Sequence, residues 1–95
     1  MFAGSSVKRT GRDRFLRNVL IAIGNAPDPG PELVATARHC LDDSSPLVRG
    51  AAIWALGRIA EPRLAAAEAE ARLPGEPDPE VRAEWQRLTV AAEPV

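Results

Sequence analysis

Cysteine is almost absent from this 95-residue chain, which has Cys40 as its single thiol. One cysteine excludes an internal disulfide, and it excludes an iron–sulfur cluster or zinc site ligated by cysteines of this chain. Aromatic residues make up only 4 % of the sequence, although apolar residues make up 45 %. Since alanine supplies much of that apolar content, closely packed helices rather than large side chains are expected to form one small core.

Long apolar runs and catalytic motifs are absent as well. No run approaches the roughly 18 apolar residues of a membrane span, and the N-terminus has no signal-peptide hydrophobic segment. We therefore expect a cytoplasmic protein without a membrane partner. The sequence shows no nucleophile–base pair, no phosphate-binding glycine loop and no metal-ligand spacing. These absences predict no catalytic residue and no metal site in this chain.

Positive charge is concentrated at one end of the chain. The net charge is −1, but residues 1–25 carry five Lys or Arg against one acid, a balance of +4. Residues 26–95 carry seven Arg against twelve acids, a balance of −5. This split indicates an anionic partner for the N-terminal part, and the alternative is a solvated basic arm.

Three apolar positions repeat at a spacing of 33 residues: Phe15, Val48 and Val81. Each opens a pattern of helical period, and Gly24 and Gly57 share one offset within the first two copies. A period of this length is typical of α-solenoids, in which each repeat packs on its neighbours.

Proline marks most of the expected helix starts, because its missing N–H costs nothing in a first turn. Ser45 and Asp78 precede two of these prolines and are expected to cap the free amides, and Thr10 and Asp13 have capping-box spacing before the first helix. The predicted elements are a basic lead over 1–10 and helices over 11–24, 31–41, 46–60, 62–73 and 79–91. The predicted fold is all-α, a HEAT-like α-solenoid of two helical hairpins plus a terminal helix, in a repeat domain over residues 11–95.

Apolar residues at helical spacing predict the buried face of each helix. The expected core faces are Phe15, Val19, Ala22 and Ile23 in the first helix, Leu33, Val34, Ala37, Cys40 and Leu41 in the second, Val48, Ala52, Ala55, Leu56 and Ile59 in the third, and Val81, Trp85 and Leu88 in the fifth. Cys40 is thus expected to be a small buried hydrophobe rather than a nucleophile.

The faces opposite the expected core differ between the copies. Leu20 and Ile53 are equivalent in the repeat, as are Ile21 and Trp54, and all four are apolar, whereas the third copy is polar there. Because a terminal repeat presents a polar outer face, the last helix is expected to end the solenoid. Ile21 and Trp54 are expected to be covered, most simply by an upstream domain.

Two arginines occupy equivalent repeat positions, Arg49 and Arg82. Their guanidinium groups are expected to bridge to carboxylates such as Asp42, Asp43 or Asp78 in a structural ladder between the repeats.

The stretches SSVKRTGRDRFLRNVLIAIGN, residues 5–25, and LDDSSPLVRGAAIWALGRI, residues 41–59, resemble the C-terminal portion of bacterial epoxyqueuosine reductase. The resemblance covers about residues 2–60. It implies a HEAT-like domain that helps to hold tRNA in an oxidoreductase of queuosine biosynthesis, a tRNA-processing pathway. The parent family uses cobalamin and two [4Fe–4S] clusters, whose binding segments lie upstream of the matching region.

The basic strip, residues 8–18, lies at positions that match the family motif. Which of its residues touch RNA is our own inference rather than part of the resemblance, and the candidate RNA-binding residues are Lys8, Arg9, Arg12, Arg14, Arg17 and Asn18. The chain is expected to be a non-catalytic fragment that carries neither cofactor, with the missing catalytic domain as a partner through Ile21 and Trp54. Two alternatives stay open: a free-standing HEAT-like adaptor that binds protein through its concave face, and a fragment without independent function.

Overall fold

The computed structural model describes the backbone of residues 2–92 and the side chains of residues 11–89. The elements are α1 (Phe2–Gly24), α2 (Pro31–Cys40), α3 (Pro46–Ile59), α4 (Pro62–Arg72), a 3₁₀ turn (Leu73–Gly75) and α5 (Pro79–Ala92). No strand occurs within residues 2–92. The prediction of an all-α fold is therefore confirmed, and four helix starts coincide with the predicted prolines.

The two expected caps behave differently. Asp78 Oδ1 accepts from the N–H groups of Glu80 and Val81 at 2.9 and 3.1 Å, as a cap should. The Ser45 side chain makes no capping bond, and its own N–H donates to Asp43 Oδ2 at 2.9 Å. The prediction for Ser45 was wrong because Asp43, two residues earlier, organises this turn.

Helix α1 begins earlier than the sequence indicated. Its backbone is helical from Phe2, so Thr10 lies inside the helix and the predicted capping box at Thr10 and Asp13 is wrong. Gly11, the first residue of the predicted helix, lies well inside α1, where a single glycine costs only about 1 kcal/mol relative to Ala. Whether residues 1–10 act as a lead distinct from the repeat domain over 11–95 stays a prediction.

The odd-numbered helices stack side by side in chain order, with α3 between α1 and α5. Helix α2 packs mainly on α3, and α4 packs mainly on α5. This arrangement gives two successive helical hairpins followed by one more helix, which is the predicted solenoid layout. Helix α3 contacts the other four helices and so forms the centre of the fold.

The core agrees with the predicted faces of α2, α3 and α5 but only in part with that of α1, where Val19 and Ile23 pack inward as predicted. Phe15 is 66 % exposed and Ala22 is exposed, whereas Leu20 is fully buried and contacts the core with Ile23. Ile53, assigned to the opposite face of α3, is also buried. The error has a physical cause: residues 19–23 are apolar all round the helix, so only packing against α3 selects which of them turns inward.

Gly24 in α1 and Gly57 in α3 occupy equivalent repeat positions. Each leaves room for a side chain of the next odd-numbered helix in the stack. A Cβ built on Gly24 would lie 2.5 Å from the Trp54 ring, and one on Gly57 would collide with the Leu88 side chain. No described residue has a positive φ, so neither glycine serves as a left-handed helix cap. The shared offset in the sequence therefore reflects close packing between successive helices.

Candidate nucleic-acid interface

One continuous surface runs along the outer side of α1. Its residues follow the spacing i, i+3, i+4, i+7 and i+11, which places them on a single helix face. All five are exposed, and together they form what we term the α1 stripe: Gly11, Arg14, Phe15, Asn18 and Ala22. The stripe combines a cation, an aromatic ring and an amide with two small residues that leave the surface open.

Two cations of this helix are available to a ligand. Arg14, on the stripe, and Arg17, beside it, are exposed and form no ion pair with any residue whose side chain the structure describes. A guanidinium in this state presents up to five donors and a full positive charge to solvent. Both residues, with Asn18, belong to the predicted RNA-binding set.

Arg12 has a different environment from its neighbours. Its guanidinium pairs with Asp13 at 2.9 Å and reaches across to Asp43, between α2 and α3, with Nη1 at 3.4 Å from Oδ2. The hydrogen bond from Arg12 holds the pKa of Asp43 below its ordinary value, and the same bond raises the pKa of Arg12. Because much of its charge is compensated, Arg12 is less available to an external anion than Arg14 or Arg17. Its predicted RNA contact stays a prediction.

Lys8 and Arg9 complete the predicted set. Their backbone belongs to α1, but their side chains lie outside the described residues.

A second candidate surface is a groove of about 550 Å³ between α1, α3 and α5. Half-buried Ile21 and Trp54 line it, together with Leu47, which is 46 % exposed. Arg17 stands at the α1 side, and the α5 side is acidic, with Asp78, Glu80 and Glu84. Ile21 and Trp54, expected from the sequence to need a cover, thus lie together in one apolar depression.

The remaining arginines of the turns serve the fold. Arg82 Nη1 donates to the carbonyl oxygens of Leu73 and Glu76 at 2.8 and 3.0 Å. Arg49 Nη1 donates to those of Asp43 and Ser44 at 3.0 and 3.1 Å, and Asp43 is the repeat equivalent of Glu76. The predicted carboxylate bridge is present at Arg49, where the partner is Glu76 rather than Asp42, Asp43 or Asp78. At Arg82 it is not found among the described side chains, since that guanidinium binds carbonyl oxygens instead.

A charge network ties α2 to α4. The carboxylate of Glu68 accepts from Arg72 Nε and from Arg38 Nε, both at 2.8 Å, and Arg72 also pairs with Asp42. The Arg72 hydrogen bonds lower the pKa of both acids, although burial opposes the shift at Glu68. Arg38 and Arg72 are thus paired with acids of the fold. The outer surface of α1, where the predicted RNA-binding residues lie, is left as the candidate cationic surface.

Cys40 is buried in the α2 face of the core, as predicted, and burial raises the pKa of its thiol. Within the part of the chain that the structure describes, no three His, Cys, Asp or Glu side chains come together as metal ligands would. In the same part, every helix is too short or too polar to traverse a bilayer.

The sequence did not indicate that Phe15 faces solvent, or that Asp43 neutralises Arg12. The first could have been suspected from spacing, because Phe15 shares a helix face with Gly11, Arg14 and Asn18. The second had no local signal, since the two partners are 31 residues apart.

The stacked hairpins, the 33-residue equivalences and the arginine-bound turns define a helical repeat protein. The sequence model of the family described as HEAT repeats matches residues 8–88, and the chain belongs to that family. No solved structure matches the chain significantly.

Curated proteins named epoxyqueuosine reductase are similar to this chain over part of its length. The protein from Xanthomonas campestris is 42 % identical over 55 residues, which is 58 % of this chain and 15 % of that protein. Those from Burkholderia pseudomallei and Escherichia coli are 41 % and 37 % identical over 64 and 60 residues, covering 56 % and 63 % of this chain. The chain spans about 15 to 16 % of the length of these relatives. It is thus related to a protein family of queuosine biosynthesis.

Proposed function

We propose that this chain is the tRNA-holding HEAT-like module of an epoxyqueuosine reductase and is not catalytic by itself. The observation that carries the proposal is the pair of exposed arginines, Arg14 and Arg17, which lie on one helix of a reductase-related solenoid without a carboxylate partner among the described side chains. Asn18 lies one helical turn beyond Arg14 and adds amide donors and an acceptor.

The electrostatics of the fold favour an RNA backbone at α1. Arginine binds phosphate oxygens through paired N–H donors, and such contacts supply most of the sequence-independent affinity for nucleic acids. Most acids of the described chain lie away from the α1 stripe, in the turns that bind Arg49 and on the α5 side of the groove that Arg17 also lines. The acid on α1 among the described residues, Asp13, pairs with Arg12. Lys8 and Arg9 belong to the proposed RNA-binding set as well, and Arg12 would contribute less because Asp43 compensates its charge.

The proposal that the chain is not catalytic rests on its donor set. A [4Fe–4S] cluster takes four thiolates, and this chain has one cysteine, which is packed in the core. The clusters that the reductase resemblance implies therefore do not fit this chain, and we propose that it binds neither iron nor cobalamin. Anaerobic reconstitution with iron and sulfide should leave the visible spectrum of the protein unchanged. A charge-transfer absorbance in stoichiometric yield would contradict this.

The RNA proposal is tested by the dependence of affinity on salt. Log affinity for an unmodified tRNA should fall linearly with log salt, with a slope of about −0.9 for each duplex phosphate contact. Replacing Arg14 and Arg17 together by Ala should flatten that slope by somewhat less than two units. Fluorescence anisotropy between about 50 and 200 mM salt covers the useful range.

Arg63→Ala is the matched control for this experiment. Arg63 is also exposed and has no partner among the described side chains, but it lies on α4, away from α1. Its replacement removes one charge without touching the proposed surface, so the slope should stay at the wild-type value. Equal effects from the α1 and α4 variants would mean that tRNA senses only net charge, and the proposed interface would be wrong.

The groove supports a second, protein-binding role. Its acidic α5 side would repel phosphates, whereas Ile21, Leu47 and Trp54 offer apolar area to a protein segment. We propose that the catalytic part of an epoxyqueuosine reductase occupies it, since the matched relatives are several times longer than this chain. A cation from that part would face Asp78 and Glu80.

Association in solution tests the groove. The Xanthomonas campestris reductase without the segment that this chain matches should bind the chain in a sedimentation experiment. Leu47→Asp should abolish binding, and Glu70→Lys, at an exposed site outside the groove, should not. Binding that survives Leu47→Asp would reject this occupant. Association with other proteins but not with tRNA would favour the adaptor function instead.

A further inference from the structure

Phe15 is the most exposed large apolar side chain among those described, at 66 %, although it is surrounded in sequence by residues that pack inward. Leu16 and Val19 contact the core, and Leu20 is fully buried. Burying a phenylalanine side chain stabilises a fold in proportion to the apolar area removed from water. At Phe15 the fold forgoes most of that stabilisation, so the side chain is available for a ligand.

The exposed neighbours of Phe15 on the helix surface are polar or small, since its apolar neighbours Leu16 and Val19 pack inward. Arg14 precedes it, Asn18 lies one turn towards the C-terminus, and Gly11 lies one turn towards the N-terminus. A Cβ built on Gly11 would meet nothing within 4 Å, so the surface beside the ring is unobstructed. Phe15 is therefore an isolated aromatic ring on a cationic, hydrogen-bonding surface, and not part of an apolar patch.

We infer that Phe15 is a stacking platform for an unpaired nucleobase whose flanking phosphates are bound by Arg14 and Arg17. This inference rests on the proposed RNA-binding function and specifies the kind of RNA, which is a loop or single strand rather than a duplex. Bases in a duplex are stacked on one another and cannot reach the ring, whereas splayed loop bases stack on aromatic side chains. The Asn18 amide is within one helical turn and can bond to the edge of the same base.

The composition of the surface distinguishes this ligand from a protein. A protein partner that buried Phe15 would be expected to meet further apolar residues, as the groove offers with Leu47 and Trp54. On the α1 stripe the ring stands between a free guanidinium and an amide. Unpaired cations next to one aromatic ring match a phosphate–base step, in which charge and π-face alternate.

Two synthetic RNAs test the inference with the whole 95-residue chain: a hairpin with an open loop, and a fully paired duplex of the same length. The wild-type chain should bind the hairpin more tightly. Phe15→Leu keeps an apolar side chain at an exposed position and should weaken hairpin binding between about 5-fold and about 150-fold, the range for loss of one stacked base. Its affinity for the duplex and its salt slope should not change, because no charge is removed. Phe15→Trp keeps an aromatic ring at this position and should bind the hairpin as tightly as the wild type.

Two further variants separate the stacking inference from the function on which it rests. Arg14→Ala should flatten the salt slope for both RNAs, and Arg63→Ala, on α4, should leave the slope and the hairpin affinity unchanged. If Arg14→Ala weakens binding while Phe15→Leu binds the hairpin as tightly as wild type, the stacking inference is wrong and RNA binding stands. If the wild-type chain binds neither RNA at low salt, both are wrong.

Discussion

Arg49 and Glu76 form a two-pronged ion pair: Nε donates to Oε1 at 3.0 Å and Nη2 donates to Oε2 at 2.9 Å. The remaining nitrogen of the same guanidinium donates to the carbonyl oxygens of Asp43 and Ser44 at 3.0 and 3.1 Å. Asp43 and Glu76 are 33 residues apart and have the same role in their turns. The carboxylate of each accepts a hydrogen bond from the N–H of the residue two positions later, at 2.9 Å. One arginine therefore joins two successive turns of the solenoid.

The pair predicts a pH dependence of stability. Burial alone would raise the pKa of Glu76, but Arg49 and the Asp78 amide outweigh it, so that pKa lies below its ordinary value of 4.5. A carboxylate with a lowered pKa stabilises the fold above its unfolded-state pKa, and the contribution disappears as pH falls through the folded-state value. Glu76→Gln should lower the free energy of unfolding at pH 7 by about 1–3 kcal/mol. Its deficit should shrink as pH falls below about 4.5.

Denaturant unfolding at a series of pH values measures this deficit. Glu70→Gln is the control, because Glu70 is exposed and has no partner among the described residues. That variant should track the wild type at every pH. A Glu76→Gln deficit of constant size from pH 7 to pH 3 would show that the ionised carboxylate is not what stabilises this turn.

The first repeat contains an altered version of the same link. The position equivalent to Arg49 is Leu16, and the guanidinium that reaches Asp43 comes from Arg12, one helical turn earlier. We therefore predict opposite phenotypes for two adjacent cations of α1. Arg12→Ala should lower the melting temperature and change the RNA salt slope little, whereas Arg14→Ala should flatten the slope and leave the melting temperature unchanged. Thermal unfolding and RNA anisotropy on the same preparations measure both, and equal loss of stability in the two variants would refute the assignment.

Local sequence signals predicted most of the fold. Proline at the helix starts and the period of 33 residues gave four of the five helices within about two residues, and the inward position of Val48 and Trp85 followed from spacing. These features depend on a few neighbouring residues, so they are visible before any tertiary contact is known.

Local signals could not predict which face of α1 turns inward, nor which of its basic residues are ion-paired. Residues 19–23 are apolar on every side, so the inward face is chosen by α3, and the residues of α3 that do so are about 30 positions away. Whether a basic residue is free likewise depends on distant acids, as Asp43 shows for Arg12. Among the side chains described, the structure leaves Arg14 and Arg17 as the cations of α1 without an ion pair, and it exposes Phe15 on the same helix.

The packing of Trp54 against α1 gives a last prediction, on the glycine shared by the first two repeats. Gly24→Ala would place a methyl group 2.5 Å from the Trp54 ring. Arg58 contacts the same ring, with its guanidinium 5.1 Å from the ring centroid. Its Nε also donates to the Gly24 carbonyl at 2.7 Å. Because a rigid ring cannot yield as a flexible chain can, we expect a loss of about 1–3 kcal/mol in the free energy of unfolding.

Gly50→Ala provides the matched comparison for Gly24→Ala. Gly50 lies inside α3, and a Cβ there would meet nothing within 4 Å. The added methyl group improves helix propensity and restricts the unfolded chain, so this variant should be more stable than wild type by about 0.5–1 kcal/mol. Chemical denaturation of both variants tests the two signs together. Stabilisation by both would show that α1 and α3 do not approach as closely as Gly24 and Trp54 indicate, and the groove that Trp54 lines would then need a different shape.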